Sequence, residues 1–261
     1  MKKSELVNFL NDTFIFNNQE DWDNCGPNPK DFINDNITNV FVALDINYET
    51  IQKAINNGCN VILSHHPILI SDDNSDNVSI TNKNINQLLI KNNILNIALH
   101  TCFDRYKYNT SFLIYEALKN KLFYEKYTFL DKHHYLLFTN LIQPMSVIKL
   151  LKKIKQKKNK FLTNFSFLNI DKNKVIKNIC IGAGSCSSML KMCLINKVDC
   201  FLTGDIKWHG YLDGLNNNLI MIDINHTSER VFINYLIKTI KSKFNSLNLI
   251  SDYDFVEIEK I

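Results

Sequence analysis

His65 and His66 stand side by side at the end of the β-favouring run Asn60 to Ser64, and Pro67 follows at once. Imidazole nitrogen is a good ligand for divalent transition metals, and open α/β sheets collect their ligands beyond the carboxyl ends of strands. Side chains alternate along a regular strand, so adjacent histidines face one ion only where the strand breaks. Pro67 supplies a break, because proline cannot continue the ladder and restricts the residue before it. A structural histidine pair at a strand end would look the same. The next strand-like run, Ile94 to Leu99, ends at His100, with Asp104 four residues further on. A carboxylate can bridge two cations whereas a neutral imidazole binds one, so this mixture suits a dinuclear centre of the hydrolytic kind.

Three later segments add to the pattern. Thr203-Gly204-Asp205 follows the run Cys200 to Leu202, with His209 one helical turn beyond Asp205. His226 and Glu229 follow Leu219 to Ile222 and open the last long helix, where i, i+3 spacing places both on one face. Gly182-Ala183-Gly184-Ser185 lies between a strand and a helix and reads as a tight turn, with anion binding through its amides as the alternative. A second adjacent pair, His133-His134, serves as an internal control. It falls in a polar hairpin tip beside Asp131 and Lys132 with no converging partner, and is assigned to the surface.

The elements that must position these residues alternate. Val40 to Ile46 predicts a strand buried on both faces. Asn47 caps a helix carrying Ile51, Ala54 and Ile55, Gly58 stops it, and Asn60 to Ser64 completes a β-α-β unit with a parallel pair. A helix near Ile85 to Ile90, the strand Ile94 to Leu99 and a helix from Thr110 to Leu118 follow. Phe123 to Phe129 and Tyr135 to Leu141 predict a hairpin. Pro144 then opens a Lys-rich helix near Val147 to Lys155, and Phe161 to Leu168 returns to strand. Alternation resumes with strand Lys177 to Ile181, helix Ser185 to Ile195, strand Cys200 to Leu202, helix Lys207 to Leu215, strand Leu219 to Ile222, helix Thr227 to Ile240 and a β-like stretch Leu247 to Ile258. The Ser-, Asp- and Asn-rich stretch Ser71 to Asn84 reads as a long loop. No fixed-period repeat is visible.

Composition narrows the class. The 261 residues, 45% hydrophobic, supply a sizeable core. Seven cysteines are scattered singly without a C-x-x-C pair, which argues for a reducing compartment and against a disulfide framework or a cysteine zinc site. No apolar run approaches the roughly 20 residues of a membrane span, and the amino terminus lacks a signal-peptide pattern, so a cytoplasmic protein is expected. A net charge of +4, carried by lysines that travel with abundant Asn and Ile, says little about nucleic acid, which is not an expected partner; the seven lysines between Lys149 and Lys160 read as a solvated helix face, with an anionic partner as the alternative.

Taken together, Leu44-Asp45-Ile46, Ser64-His65-His66-Pro67, the His100 to Asp104 loop, Thr203-Gly204-Asp205 with His209, and His226 with Glu229 resemble the Nif-three-like family, whose members are often labelled GTP cyclohydrolase I type 2 homologues. Trp22-Asp23-Asn24-Cys25-Gly26 looks like that family's early W-D-N-x-G segment, and Gly182-Ala183-Gly184-Ser185 like its glycine-rich turn. The resemblance spans nearly the whole chain. It implies an α/β protein of two lobes, each with a mixed sheet flanked by helices: residues 1–122 completed by 222–261, and an inserted 123–221. It also implies two divalent metal ions between the lobes and a ring-shaped homohexamer. By position, the metal ligands fall on His65, His66, Asp104, His226 and Glu229, with His100, Asp205 and His209 lining the pocket. Two features depart from the family. The usual late spacing is H-x-x-x-E, so a gapless match from Glu229 lands on Asn225; His226 is preferred because imidazole is the better ligand. Arg105 to Asn109 lacks the glycines common there.

The implied activity is a metal-dependent hydrolase acting on a nucleotide-like or phosphorylated small molecule. Its cations (Fe, Mn, Zn, Ni or Co) would lower the pKa of a water, and Glu229, His100 or His209 would move protons. A non-catalytic metal-storage or metal-delivery protein would use the same ligands.

Overall fold

Asn47 Oδ1 accepts from the Thr50 amide at 2.9 Å, so a helix starts where the sequence places its cap and the first β-α-β unit closes as expected. The computed structural model describes residues 1–68, 80–120, 122–156, 162 and 164–252. Along them the strands are β1 (Gly26–Asn28), β2 (Asn39–Ala43), β3 (Cys59–Ser64), β4 (Leu95–Ala98), β5 (Phe123–Phe129), β6 (Leu136–Ser146), β7 (Ser166–Phe167), β8 (Val175–Gly182), β9 (Cys200–Thr203), β10 (Ile220–Asp223) and β11 (Leu249–Ser251). The α-helices are α1 (Lys3–Phe14), α2 (Tyr48–Asn56), α3 (Ile80–Lys91), α4 (Thr101–Asp104), α5 (Thr110–Leu118), α6 (Val147–Gln156), α7 (Leu190–Ile195), α8 (Trp208–Asn216) and α9 (Val231–Lys243). Among the described residues no helix is long and apolar enough to cross a membrane.

The chain divides into two compact units, Met1–Tyr106 with Phe232–Ile261, and Lys107–Val231. In the first, the described strands form one sheet in the order β1-β4-β3-β2-β11. β2, β3 and β4 are parallel neighbours, and β1 runs antiparallel at one edge. Phe41, Ile62, Ile51, Ala54 and Leu89 pack α2 and α3 onto the sheet. The register places Ala43 beside Ser64 and Ser64 beside Ala98, so three strands end level and release Asp45, His65-His66 and His100 at one edge.

In the second unit the order is β5-β6-β8-β9-β10-β7. β5, β6 and β8 are antiparallel, whereas β8, β9 and β10 are parallel. One face buries Ile179, Ile181 and Leu202 under α5 and α6, and the other packs Cys180, Phe201 and Met221 against residues of α7 and α8. Here too three parallel strands end level, at Gly182, Thr203 and Asp223. On α6, Val147, Leu150, Leu151 and Ile154 are buried and contribute about 1.5–3 kcal/mol each; Lys149, Lys152, Lys153 and Lys155 form the exposed face.

Four expectations change. The units part at Lys107 and Val231 rather than at 123 and 221, because Ile114, Tyr115 and Leu118 of α5 join the core of β5, β6 and β8. Pro144 does not open α6; it lies inside β6, where the pairing with β8 is irregular between Asn140 and Met145 and the ladder tolerates a residue without an amide proton. Among the described residues of the strand foreseen over Phe161 to Leu168, β7 covers Ser166–Phe167. The last long helix begins as a 3-10 turn, His226–Arg230, before α9. Positions 71–79 of the expected long loop, 157–160 of the lysine run, 161 and 163 of the strand foreseen before β7, and 253–258 of the last β-like stretch lie outside the described residues.

Candidate metal centre

Beyond β3 the ladder gives way. The amides of His65 and His66 both donate to the Leu44 carbonyl at 3.0 Å, which turns the chain so that two consecutive side chains reach one region. Their ring centroids are 5.0 Å apart, and the His100 ring stands 5.4 Å from His65 and 5.3 Å from His66, nearly perpendicular to both. One ligand atom from each of His65, His66 and His100 can be chosen so that all three lie within 4.8 Å of one another, close enough to hold a metal ion. His65 is fully buried, backed by Phe232 with centroids 5.0 Å apart, and its Nε2 lies 3.7 Å from Asp104 Oδ2. Asp104 closes the short helix α4, one turn after His100, whose carbonyl accepts from its amide.

What fixes these rings is the other nitrogen. His65 Nδ1 meets the Leu99 carbonyl at 2.9 Å, His66 Nδ1 meets Asp45 Oδ1 at 2.6 Å, and His100 Nδ1 meets Asp23 Oδ1 at 2.9 Å. A carbonyl or an ionised carboxylate only accepts, so in each ring Nδ1 is the donor, and in the neutral ring Nε2 keeps the lone pair. This is the tautomer that metal-ligating histidines take, held by an outer carboxylate or carbonyl. Asp23 is buried. It also accepts from the amides of Thr101 and Asn24, at 2.9 and 2.7 Å, and from the Thr101 hydroxyl. Burial pushes its carboxyl up, but the hydrogen bonds from His100 and Thr101 and the charge of His100 outweigh that and hold it well below the usual carboxylate range.

The second unit repeats the device. Asp205 follows β9 and His226 follows β10, its parallel neighbour, just as Asp45 follows β2 and His66 follows β3. His226 Nδ1 meets Asp205 Oδ2 at 2.5 Å, and His226 Nε2 lies 3.1 Å from Glu229 Oε2. The 3-10 turn brings this about, since residues i and i+3 eclipse in that geometry. Asn225 is occupied otherwise: it takes a left-handed φ of 67° and caps the turn through Thr227 N.

Two glycines make room. A Cβ on Gly184, at φ +60°, would run into Glu229 Oε1. One on Gly204 would lie 3.1 Å from both the Gly184 carbonyl and the His226 amide, where the Gly204 amide donates to that carbonyl at 2.7 Å. The glycine turn therefore accommodates a buried carboxylate.

Of the residues singled out from the sequence, His65, His66, His100 and Asp104 converge within the first unit, and Asp205, His226 and Glu229 within the second. His209 is exposed in the first turn of α8, and no His, Cys, Asp or Glu group found among the described residues includes it. Sequence reading gave no role to Asp23 or Asp45, although both sit in segments already singled out. The pair His133-His134 is half-buried rather than fully on the surface, with the His134 ring stacked on Phe129 at 4.5 Å.

Comparison with known proteins bears on the family and the fold. A protein from Campylobacter jejuni named GTP cyclohydrolase 1 type 2 homolog is 34% identical over 245 residues, covering 93% of each chain. A Ureaplasma parvum protein of the same name is 29% identical over all of this chain and 98% of its own. Among solved structures, a Bacillus cereus protein related to NIF3 superposes with a TM-score of 0.85 at 14% identity, covering 100% of this chain and 99% of that one. A Staphylococcus aureus hypothetical protein reaches 0.82 at 23%, covering 99% of each; these likenesses show the fold. The family model described as Duf34/NIF3 (NGG1p interacting factor 3) matches residues 1–260, and the chain belongs to that family.

Proposed function

We propose that the two donor sets serve one dinuclear centre of a metal-dependent hydrolase acting on a nucleotide-like or phosphorylated small molecule. His65, His66 and Asp104 would hold the ions from the first unit, and His226 and Glu229 from the second. The observation that carries the reading is that the three proposed histidine ligands, His65, His66 and His226, are each tied through Nδ1 to a carbonyl or carboxylate, which makes Nε2 the ligand atom. The donors fit borderline transition metals, being imidazoles with a few carboxylates and no thiolate among them.

Divalent ions held there would supply Lewis-acid polarisation of a phosphoryl or ring carbonyl oxygen. Around them this chain's own groups have separable tasks. Glu229 is buried beside His226, where a carboxylate can take up and return a proton. His100 and His209 are the other proton carriers in this reading. Asp45 and Asp205 hold the rings of His66 and His226. The names of the relatives make GTP the first nucleotide to test. A homohexamer belongs to the same reading, and light scattering of the purified protein checks it.

The test is a turnover assay over nucleotides and phosphoesters with Mn²⁺, Fe²⁺ or Zn²⁺ supplied. Metal-dependent product formation abolished by Asp104→Ala supports the hydrolase. Tight metal binding without turnover on any substrate overturns it in favour of storage or delivery.

A further inference from the structure

Charge is shared unevenly along this chain. Val147 to Lys177 carries ten lysines and a single acid, Asp171. Taken from the chain's 30 basic and 26 acidic residues, these leave 20 against 25, so a segment of +9 sits in a remainder of −5. A general abundance of lysine would be spread along the chain and would not empty one stretch of acids. Asp171 offsets little at the surface, because it is buried and meets Lys174 at 3.1 Å.

The fold brings the two ends of this segment together. The amides of Val147 and Ile148 donate to the carbonyls of Lys174 and Lys172, at 3.1 and 3.0 Å, and Ser146 pairs with Val175. The first turn of α6 therefore lies against the turn that leads into β8. On α6, Ile148, Lys152 and Lys155 follow i, i+4, i+7 spacing and share one exposed face, away from the buried Val147, Leu150, Leu151 and Ile154. At this end of the second unit three aliphatic side chains stand in water: Ile148 with 36%, Ile170 with 67% and Val175 with 70% of its surface open.

Lysines alone would suit any polyanion, and the exposed aliphatic carbon narrows the choice. Nucleic acid is held by arginine forks and by aromatic rings that stack on bases. This segment has no arginine, and the apolar side chains it exposes among the described residues have no π face. A bilayer offers both halves of the match, headgroup phosphates to the lysines and acyl carbon just beneath them to isoleucine and valine. Lysine stems lie along apolar surface while their ammonium groups reach the headgroups.

We propose that this end of the second unit, with Ile148, Lys152 and Lys155 of α6 and Ile170, Lys172 and Val175 beside them, docks on the surface of an anionic phospholipid bilayer. Such docking needs no spanning helix and is independent of the metal-centre reading. The lysines supply an attraction that salt screens, and the aliphatic side chains a shallow contact that salt leaves intact.

The experiment is co-sedimentation of the full chain with vesicles of phosphatidylcholine alone and of an equal mixture with phosphatidylglycerol, at low and at physiological salt. Wild type should bind the mixed vesicles and leave the neutral ones in suspension without it. K152Q/K155Q should weaken binding about 20–30-fold at low salt, since each lysine near an anionic surface contributes roughly fivefold. I170S/V175T should also weaken it, by a similar factor at both salt concentrations, because the contact it removes carries no charge. K91Q/K191Q, which changes exposed lysines elsewhere, should bind as wild type does. Every position changed is exposed, so each variant should melt close to the wild type. No binding to the mixed vesicles, equal binding to both kinds, or a loss in K91Q/K191Q as large as in K152Q/K155Q overturns the proposal. So does wild-type affinity in K152Q/K155Q or in I170S/V175T, or single-stranded RNA that displaces the mixed vesicles at equal phosphate, which would make this face a polyanion site.

Discussion

Two pairs of adjacent histidines occur in this chain, and they share nothing but adjacency. His65-His66 follows the central strand β3, where both amides turn on one carbonyl and both Nδ1 atoms are held by acceptors. His133-His134 sits in the turn between β5 and β6. There His134 takes a left-handed φ of 69°, stacks on Phe129 and gives its carbonyl to Asn109, while its buried Nδ1 has no hydrogen-bond partner among the described residues. The first pair is orientated from outside and presents a nitrogen; the second is a packing element, and the described residues offer His134 Nδ1 no orienting acceptor. In the proposed reading, a histidine pair can hold a metal because of what stands behind it. His226 sharpens the rule: it has no adjacent histidine, but it has Asp205 behind it and Glu229 beside it.

The largest effect should come from breaking the first pair. H65A/H66A should weaken Zn²⁺ or Co²⁺ binding by more than about 100-fold, beyond what losing an outer partner costs, as measured by calorimetry. Next, D205N leaves both proposed ligands of the second unit in place but removes the acceptor behind His226. Competition with a chromogenic chelator should show one ion weakened about 10–100-fold. G184A should then report on the room kept for Glu229. A Cβ there is strained by the left-handed φ and meets the carboxylate, so urea unfolding of metal-free protein should show a loss of about 1–2 kcal/mol. Smallest of all, H133A/H134N should leave metal content at the wild-type value by elemental analysis, with stability changed by about 0.5 kcal/mol or less, because asparagine tolerates the left-handed turn.

Much of the frame was legible in the sequence because its signals are local. Asn47 as a cap, the continuous apolar runs of parallel strands and the breaks after them place His65, His66, His100 and His226 at strand ends without reference to distant residues. The anchors are another matter. Asp45 and Asp205 each lie 21 residues before the histidine they hold, and Asp23 lies 77 before His100. The first two pairings depend on the register of neighbouring parallel strands and the third on the antiparallel register of β1 with β4, and no short-range pattern encodes register. Pro144 misled for a related reason: proline is a good helix opener, and only the irregular pairing of β6 with β8 lets it stay in a strand. The 3-10 turn at His226–Arg230 was also out of reach, because it reflects the positive φ of Asn225 and the close approach at Gly204.

The most direct test of the central claim is nitrogen NMR of protein labelled with ¹⁵N-histidine, recorded before and after Zn²⁺. The four anchored rings should keep the proton on Nδ1 throughout, and Zn²⁺ should move the Nε2 resonances of His65, His66, His100 and His226 while those of His133 and His134 stay where they were. Zn²⁺ that moved Nδ1 instead, or perturbed the turn pair as much as the strand-end rings, would contradict it.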